Sequence, residues 1–244
     1  MTTIRTDPDP DAGRTRAVVA LAGTFCSPLV FEQLRPLLGD RFAVRALSWM
    51  TDAPSCTIDD AAAWVADSAP RGPLLLVGHS TGGAIALRLA LARPDLVGGL
   101  MLINTGPNMH HHGDVTSLIT TMEREGTADV ARAVIERSFH IAPPPDDLRR
   151  FLDYADRVPL RAALEALRSQ RTTDLAPDLP SVRVPVAIVH GRHDPVRTAA
   201  GAESMTAAFP DGQLHLVDAG HSPMYEAPAA VAEALRALDG RIGT

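Results

Sequence analysis

Residues 74–83 read Leu-Leu-Leu-Val-Gly-His-Ser-Thr-Gly-Gly, an apolar run followed by a Gly-x-Ser-x-Gly turn, and Ala84-Ile85-Ala86-Leu87-Arg88-Leu89-Ala90 continues as an apolar helix-like stretch. The pattern describes a strand, a sharp turn and a helix. Ser80 sits at the tip, and Gly78 and Gly82 flank it where a Cβ would collide with the neighbouring strand or helix. Such a turn lifts the serine hydroxyl clear of a sheet and aims a helix N-terminus at it, which favours negative charge there. The pentapeptide alone arises often by chance; the flanking strand and helix give it meaning. The plainer alternative is a tight turn carrying a surface serine.

A nucleophilic serine needs a base, and the base needs an orienting acid. Pro185-Val186-Ala187-Ile188-Val189-His190 has a buried-strand pattern, and Gly191-Arg192-His193-Asp194-Pro195-Val196 follows it, placing Asp194 just past a strand end. Gln213-Leu214-His215-Leu216-Val217 reads as another strand, and Asp218-Ala219-Gly220-His221-Ser222-Pro223 places His221 likewise. In an open parallel sheet the carboxyl edge is where sites form. Of the histidines, His221 alone is placed as a general base would be. His79, beside the nucleophile, reads as an elbow residue packed beneath the sheet edge, His190 and His193 read as supporting or surface groups, and His140 and His215 have no special context. The rival acids are those in other loops, Asp211 and Asp218 among them.

These three segments, in the order Ser80, Asp194, His221, resemble an α/β-hydrolase. Gly78-His79-Ser80-Thr81-Gly82-Gly83 is similar to the family's nucleophile elbow, Gly191-Arg192-His193-Asp194 to its acid loop, and Gly220-His221-Ser222-Pro223-Met224-Tyr225-Glu226-Ala227-Pro228 to its histidine loop and the start of its last helix. The resemblance spans about Val18 to Leu238. It implies a serine-nucleophile hydrolase: an α/β fold with a mostly parallel sheet flanked by helices and an inserted helical cap. It departs from the family at Val18-Val19-Ala20-Leu21-Ala22-Gly23-Thr24-Phe25, where Ala22 stands in place of the common His of the oxyanion loop. The donor there is a backbone N–H, which any residue but Pro supplies. The expected oxyanion hole is therefore the N–H groups of Thr24 and Thr81, or of Phe25 if the register is one residue off.

Composition removes several other chemistries. The chain of 244 residues is 45% hydrophobic and 21% charged, ordinary for one globular domain. A formal charge of −6 with no basic run disfavours nucleic-acid and anionic-membrane partners. There is no lysine. That excludes Schiff-base chemistry, a Walker-type phosphate lysine and a Ser-Lys dyad, and it suggests a GC-rich bacterial genome. Cys26 and Cys56 stand outside any C-x-x-C or metal spacing and read as free thiols, with a disulfide as the alternative, and Cys26 is close enough to the oxyanion loop to line a pocket. The acidic, proline-rich start (Asp7-Pro8-Asp9-Pro10-Asp11) is not a signal peptide, and no stretch is apolar enough to span a membrane, so a cytoplasmic location is expected.

The apolar runs place strands at 18–22, 42–46, 74–77, 100–104, 186–190 and 213–217, with helices at 31–38, 58–68, 81–92, 201–208 and 228–238. Alternation of this kind predicts a mostly parallel sheet with right-handed crossovers. The hydrolase core is expected at 17–104 and 185–240, with an N-terminal arm at 1–16. Between 105 and 184 the alternation stops. Helical stretches at 115–125, 128–139, 146–158 and 160–171, punctuated by Pro143-Pro144-Pro145 and Pro159, predict a helical cap packed over the sheet's carboxyl edge. Met109, Leu118, Met122, Phe139 and Phe151 are candidates for its inner face; the alternative is packing within the cap. His110-His111-His112 at its entrance reads as a solvated loop or pocket lining. It is not read as a metal site, because adjacent histidines point apart and no acidic or Cys partner stands at ligand spacing.

The chemistry implied is cofactor-free acyl transfer on a small apolar ester, lactone or thioester, with Ser80 attacking, His221 taking its proton and Asp194 fixing the imidazole. Relatives that use this triad as a proton relay make a lyase or C–C bond hydrolase the first alternative. A hydrolase-fold ligand receptor with slow turnover is the second.

Overall fold

The computed structural model describes residues 15–70, 72–110 and 112–242. Among them is a six-stranded sheet: β1 (Arg16–Leu21), β2 (Phe42–Leu47), β3 (Leu74–His79), β4 (Val97–Ile103), β5 (Val186–Gly191) and β6 (Gly212–Val217). The spatial order is β2-β1-β3-β4-β5-β6, and every adjacent pair is parallel. The strands are apolar on both faces because helices cover both sides. Leu74, Leu75, Leu76 and Val77 of β3 are at most 1% exposed, and each contributes ~1.5–3 kcal/mol through burial.

The helices are α1 (Leu34–Leu38), α2 (Trp49–Asp52), α3 (Ile58–Ser68), α4 (Thr81–Ala92), α5 (Val115–Glu125), α6 (Ala128–Arg137), α7 (Pro145–Ala155), α8 (Leu160–Thr172), α9 (Ala199–Ala208), α10 (Pro223–Glu226) and α11 (Pro228–Asp239). Right-handed crossovers put α1 and α11 together on one face and α3 against α4 on the other. The chain runs from β1 outward to β2, then returns past β1 to β3. The carboxyl ends of β1 and β3 are therefore the topological switch point, where the connections leave in opposite directions and open a crevice. Ser80 follows β3 at that point and Thr24 follows β1.

Helices α5 to α8 lie between β4 and β5 in sequence. They pack against each other as α5 on α8, α6 on α7 and α5 on α6, and α8 meets α2, α3 and α4. The block also rests on an aromatic cluster. Phe139, Phe151 and Tyr225 have ring centroids 5.3–5.5 Å apart, and the Tyr225 hydroxyl donates to Asp147 Oδ2 at 2.7 Å.

Several boundaries differ from the sequence expectation. Strand β1 begins at Arg16, whose Nε donates to the buried Asp239 at 2.7 Å, so Arg16 belongs to the sheet and not to an arm. The rest of the expected arm, 1–14, lies outside the described residues. Strand β4 begins at Val97, ahead of the expected 100, because Gly98 and Gly99 are strand residues; a Cβ on Gly99 would sit 2.9 Å from Leu75 Cδ2. Helix α1 is shortened by Pro36 and preceded by a 3₁₀ turn at Pro28–Phe31. Helix α6 stops at Arg137, and the short α2 and α10 were not anticipated.

One very tight backbone approach is at Gly82. A Cβ there would lie 2.3 Å from Leu21 O, and one on Gly78 would lie 2.5 Å from Gly82 O. Gly82→Ala is expected to cost about 3 kcal/mol or more in urea unfolding, at the upper end of overpacking. Gly113→Ala, where nothing lies within 4 Å, is expected to leave the midpoint unchanged.

Candidate active site

Ser80 has φ +51° and ψ −120°, a left-side backbone conformation that costs ~1–3 kcal/mol for a residue with a Cβ and survives only where its surroundings dictate it. Those surroundings are the ladder bond from the Ser80 N–H to Ile103 O at 3.0 Å, and the Ser80 carbonyl, which accepts from Gly83 N–H at 2.9 Å and from Thr105 Oγ1 at 2.7 Å. Helix α4 starts at Thr81, whose N–H is among the first-turn donors that no intrahelical carbonyl reaches.

His221 meets Asp194 squarely. The imidazole Nδ1 lies 2.9 Å from Asp194 Oδ1 and 3.0 Å from Oδ2, the carboxylate side chain being 0% exposed. Burial alone would raise the Asp194 pKa. The hydrogen bond and charge of His221, with backbone N–H groups of Val196 and Arg197, outweigh it and hold the carboxyl below its ordinary value. The rival acids are committed elsewhere. Asp218 is exposed and takes His193 Nε2 at 2.7 Å, and Asp211 pairs with Arg241 at 2.5 Å.

The loop after β1 is fixed by three contacts. Trp49 Nε1 donates to Ala22 O at 2.8 Å, Cys26 N–H to Gly23 O at 3.0 Å, and Phe25 N–H to Met50 Sδ at 3.1 Å. Phe25 has φ +63° and is fully buried. Its N–H is spent on the methionine sulfur, and both Thr24 and Phe25 line the cavity at Ser80.

Two buried side chains, His79 and the unanticipated Asn104, bind these loops together. His79 accepts from Gly23 N–H at Nδ1 (3.2 Å) and reaches the His221 carbonyl from Nε2 (2.8 Å), which fixes the tautomer with its proton on Nε2. Burial, and then the neighbouring His221, push its pKa down to about 3. It is therefore a neutral bridge between the β1 loop and the histidine loop. Asn104, at φ +43°, does the same on the other side: its Nδ2 donates to Gly220 O at 2.7 Å, and its Oδ1 accepts from Gly191 N–H at 2.8 Å. His79 stands beside the nucleophile and Asn104 ends a strand at the carboxyl edge; that shared address was the signal available in the sequence.

Above Ser80 is a narrow cavity of about 40 Å³. Helix α6 contributes Val130, Val134 and Arg137, three residues of one helical face, and Leu118, Leu167 and Met109 complete an apolar wall. Of the five candidates for the inner face, Met109 and Leu118 line the cavity. Met122 is fully buried in the core, and Phe139 and Phe151 belong to the aromatic cluster. Among the histidines at 110–112, His110 is exposed, His111 lies outside the described residues, and His112 lines the cavity. The His112 Nδ1 is buried without a partner, and burial pushes its pKa down to about 4. No cluster of potential metal ligands occurs among the described residues. Cys26 and Cys56 are both free and buried, their thiols pushed up to about 12 and about 11, chiefly by burial, so neither supplies a thiolate. No helix among the described residues is long and apolar enough to cross a membrane.

A strained serine at a strand-to-helix turn, an aspartate-bound histidine and a buried loop frame together define a class. The model of the alpha/beta hydrolase family matches residues 18–234, and the chain belongs to that family. Among individual proteins it is similar to the pimeloyl-(acyl-carrier protein) methyl ester esterase of Aromatoleum aromaticum, 29% identical over 240 residues, covering 86% of this chain and 93% of that protein. The enzyme of the same name from Nitrosomonas europaea is 28% identical over 198 residues, covering 75% and 77%. Among solved structures, the enol-lactonase of Burkholderia xenovorans superposes with a TM-score of 0.82 at 19% identity, covering 94% of this chain and 93% of that one.

The neutral His79 makes stability depend on acid. Its folded pKa lies below the unfolded value of about 6.5, so the unfolded chain binds more protons between that pH and about 3. Stability is therefore expected to fall as pH drops through this window, by the order of 2 kcal/mol from His79 alone between pH 7 and pH 5. Urea unfolding at the two pH values measures it; equal midpoints and slopes would contradict a neutral His79.

Proposed function

We propose that this protein is a serine hydrolase of carboxylic esters, lactones or thioesters of small apolar molecules, working through an acyl-enzyme on Ser80. The observation that carries the reading is His221 Nδ1 held by both oxygens of the buried Asp194 while the same imidazole lines the Ser80 cavity. His221 Nε2 takes the hydroxyl proton as Ser80 attacks the carbonyl carbon. Asp194 keeps the imidazole in the tautomer that leaves Nε2 free, and it stabilises the imidazolium. The N–H groups of Thr24 and Thr81 receive the oxyanion, helped by the N-terminus of α4. His221 then protonates the leaving group, and a water activated by the same base releases the acyl group. The names of the relatives, methyl ester esterases and an enol-lactonase, support an acyl–oxygen bond as the target.

The helices between β4 and β5 act in this reading as the cap that selects substrate. The narrow apolar cavity favours a short acyl group, so p-nitrophenyl acetate and butyrate are expected to outpace the octanoate. Leu118→Ala and Val134→Ala remove lining and are expected to move the optimum toward longer chains. Phe151→Ala is expected to cost ~3–5 kcal/mol of stability and to leave chain preference in place. Identical chain-length profiles in all these variants would remove the cap from the account.

For the triad, Ser80→Ala is expected to abolish turnover by several powers of ten without unfolding the protein. Asp194→Asn is expected to lower kcat about 10⁴-fold, by analogy with serine proteases, and Asp218→Asn to leave it within about twofold. Steady-state kinetics on one activated ester checks all three. A larger loss at Asp218 than at Asp194 would reassign the acid.

A further inference from the structure

Helix α8 is fastened to the core along one stripe. Arg161 Nη2 donates to Pro54 O at 3.1 Å, Cys56 N–H donates to Glu165 Oε2 at 3.0 Å, and Ile58 N–H donates to Ser169 Oγ at 2.9 Å. The spacing of these side chains, four residues apart, puts them on one face, and all three grip the segment leading into α3. The next residue, Gln170, is 5% exposed and reaches inward. Thr81 Oγ1 donates to Gln170 Oε1 at 2.9 Å and lies 2.8 Å from Thr24 Oγ1. A hydroxyl has one proton. Thr81 gives its proton to Gln170, so Thr24 must be the donor to Thr81, and the chain runs in one direction: Thr24 to Thr81 to Gln170.

The two threonines come from separate loops, and the ladder between their strands ends at Leu21 and Gly78. Beyond that point the side-chain pair links Thr24 directly to Thr81, and the acyl-transfer reading assigns these same two residues to the oxyanion through their backbone N–H groups. We propose that Gln170 is a positioning residue: through the two hydroxyls it fixes the separation of the Thr24 and Thr81 N–H donors, so that the seating of α8 is felt at the reacting carbonyl. The inference rests on the acyl-transfer reading. Misplacing oxyanion donors weakens interactions made mainly in the transition state, so the loss falls on kcat.

The test is kcat and KM on p-nitrophenyl acetate, with thermal midpoints, for Ser80→Ala, Gln170→Met, Thr24→Val, Thr24→Ser and the double variant Gln170→Met/Thr24→Val. Gln170→Met and Thr24→Val are each expected to lower kcat about tenfold with KM within about twofold. The double variant is expected to lose no more than the worse single one, because the chain acts as a unit. Thr24→Ser, which restores the hydroxyl on a smaller side chain, is expected to recover most of the loss. A packing role predicts the reverse order, with the isosteric valine better than serine. Unchanged kcat, losses that multiply in the double variant, or losses confined to KM would overturn the proposal. If Gln170→Met does not fold, the valine–serine comparison at Thr24 decides alone. Failure of the wider reading is distinct: Ser80→Ala would then retain activity.

Discussion

At Leu21 and Gly82 two backbones come so close that only a hydrogen fits between them, a Cβ on Gly82 falling 2.3 Å from the Leu21 carbonyl. Everything at the carboxyl edge depends on that approach. It brings the start of α4 against the end of β1, and so sets the loop carrying Thr24 beside the helix turn carrying Thr81. It leaves Ser80 in a conformation that a free chain would avoid. The strain of ~1–3 kcal/mol is sustained by the fully buried β3 beneath it and by the Thr105 hydroxyl on the Ser80 carbonyl.

A single tight turn does not make a site; four loops from four strands have to agree in position. Two neutral, buried side chains do much of that work. His79 holds the β1 loop to the histidine loop, and Asn104 holds the acid loop to the same histidine loop from the other side. Glu226 adds a third tie, accepting from Gly220 N–H at 2.9 Å and from His140 N–H at 2.7 Å, which joins the histidine loop to the connection between α6 and α7. His79 and Asn104 bond backbone groups that would otherwise be buried without partners, a cost of ~1–3 kcal/mol apiece. The frame is thus set by geometry and burial, with little dependence on ionic strength.

The parts legible in the sequence were those encoded locally. The elbow, the acid loop and the histidine loop each announce themselves by an apolar strand and a turn, and the structure brings Ser80, Asp194 and His221 to one edge. What could not be read was what long-range contact decides. Gly98 and Gly99 look like a loop until Leu75 and Ile242 are seen crowding them inside β4. Met122 and Phe151 are apolar helix residues as Leu118 is, yet of these three only Leu118 lines the cavity, because amphipathic spacing marks a buried face without saying what lies opposite. The link from Thr24 to Thr81 to Gln170 spans 57 and then 89 residues, and no pattern in the chain foretells it.

The central claim is a covalent acyl group on Ser80. Its most direct test is rapid acid quench of the protein turning over a p-nitrophenyl ester, followed by intact-mass and peptide mass spectrometry, alongside pre-steady-state release of p-nitrophenolate. The account expects one acyl adduct per chain, mapped to the peptide containing Ser80 and absent from Ser80→Ala, with a burst of p-nitrophenolate equal to the enzyme concentration wherever deacylation is slower than acylation. Turnover at full rate with the adduct on another residue would contradict it.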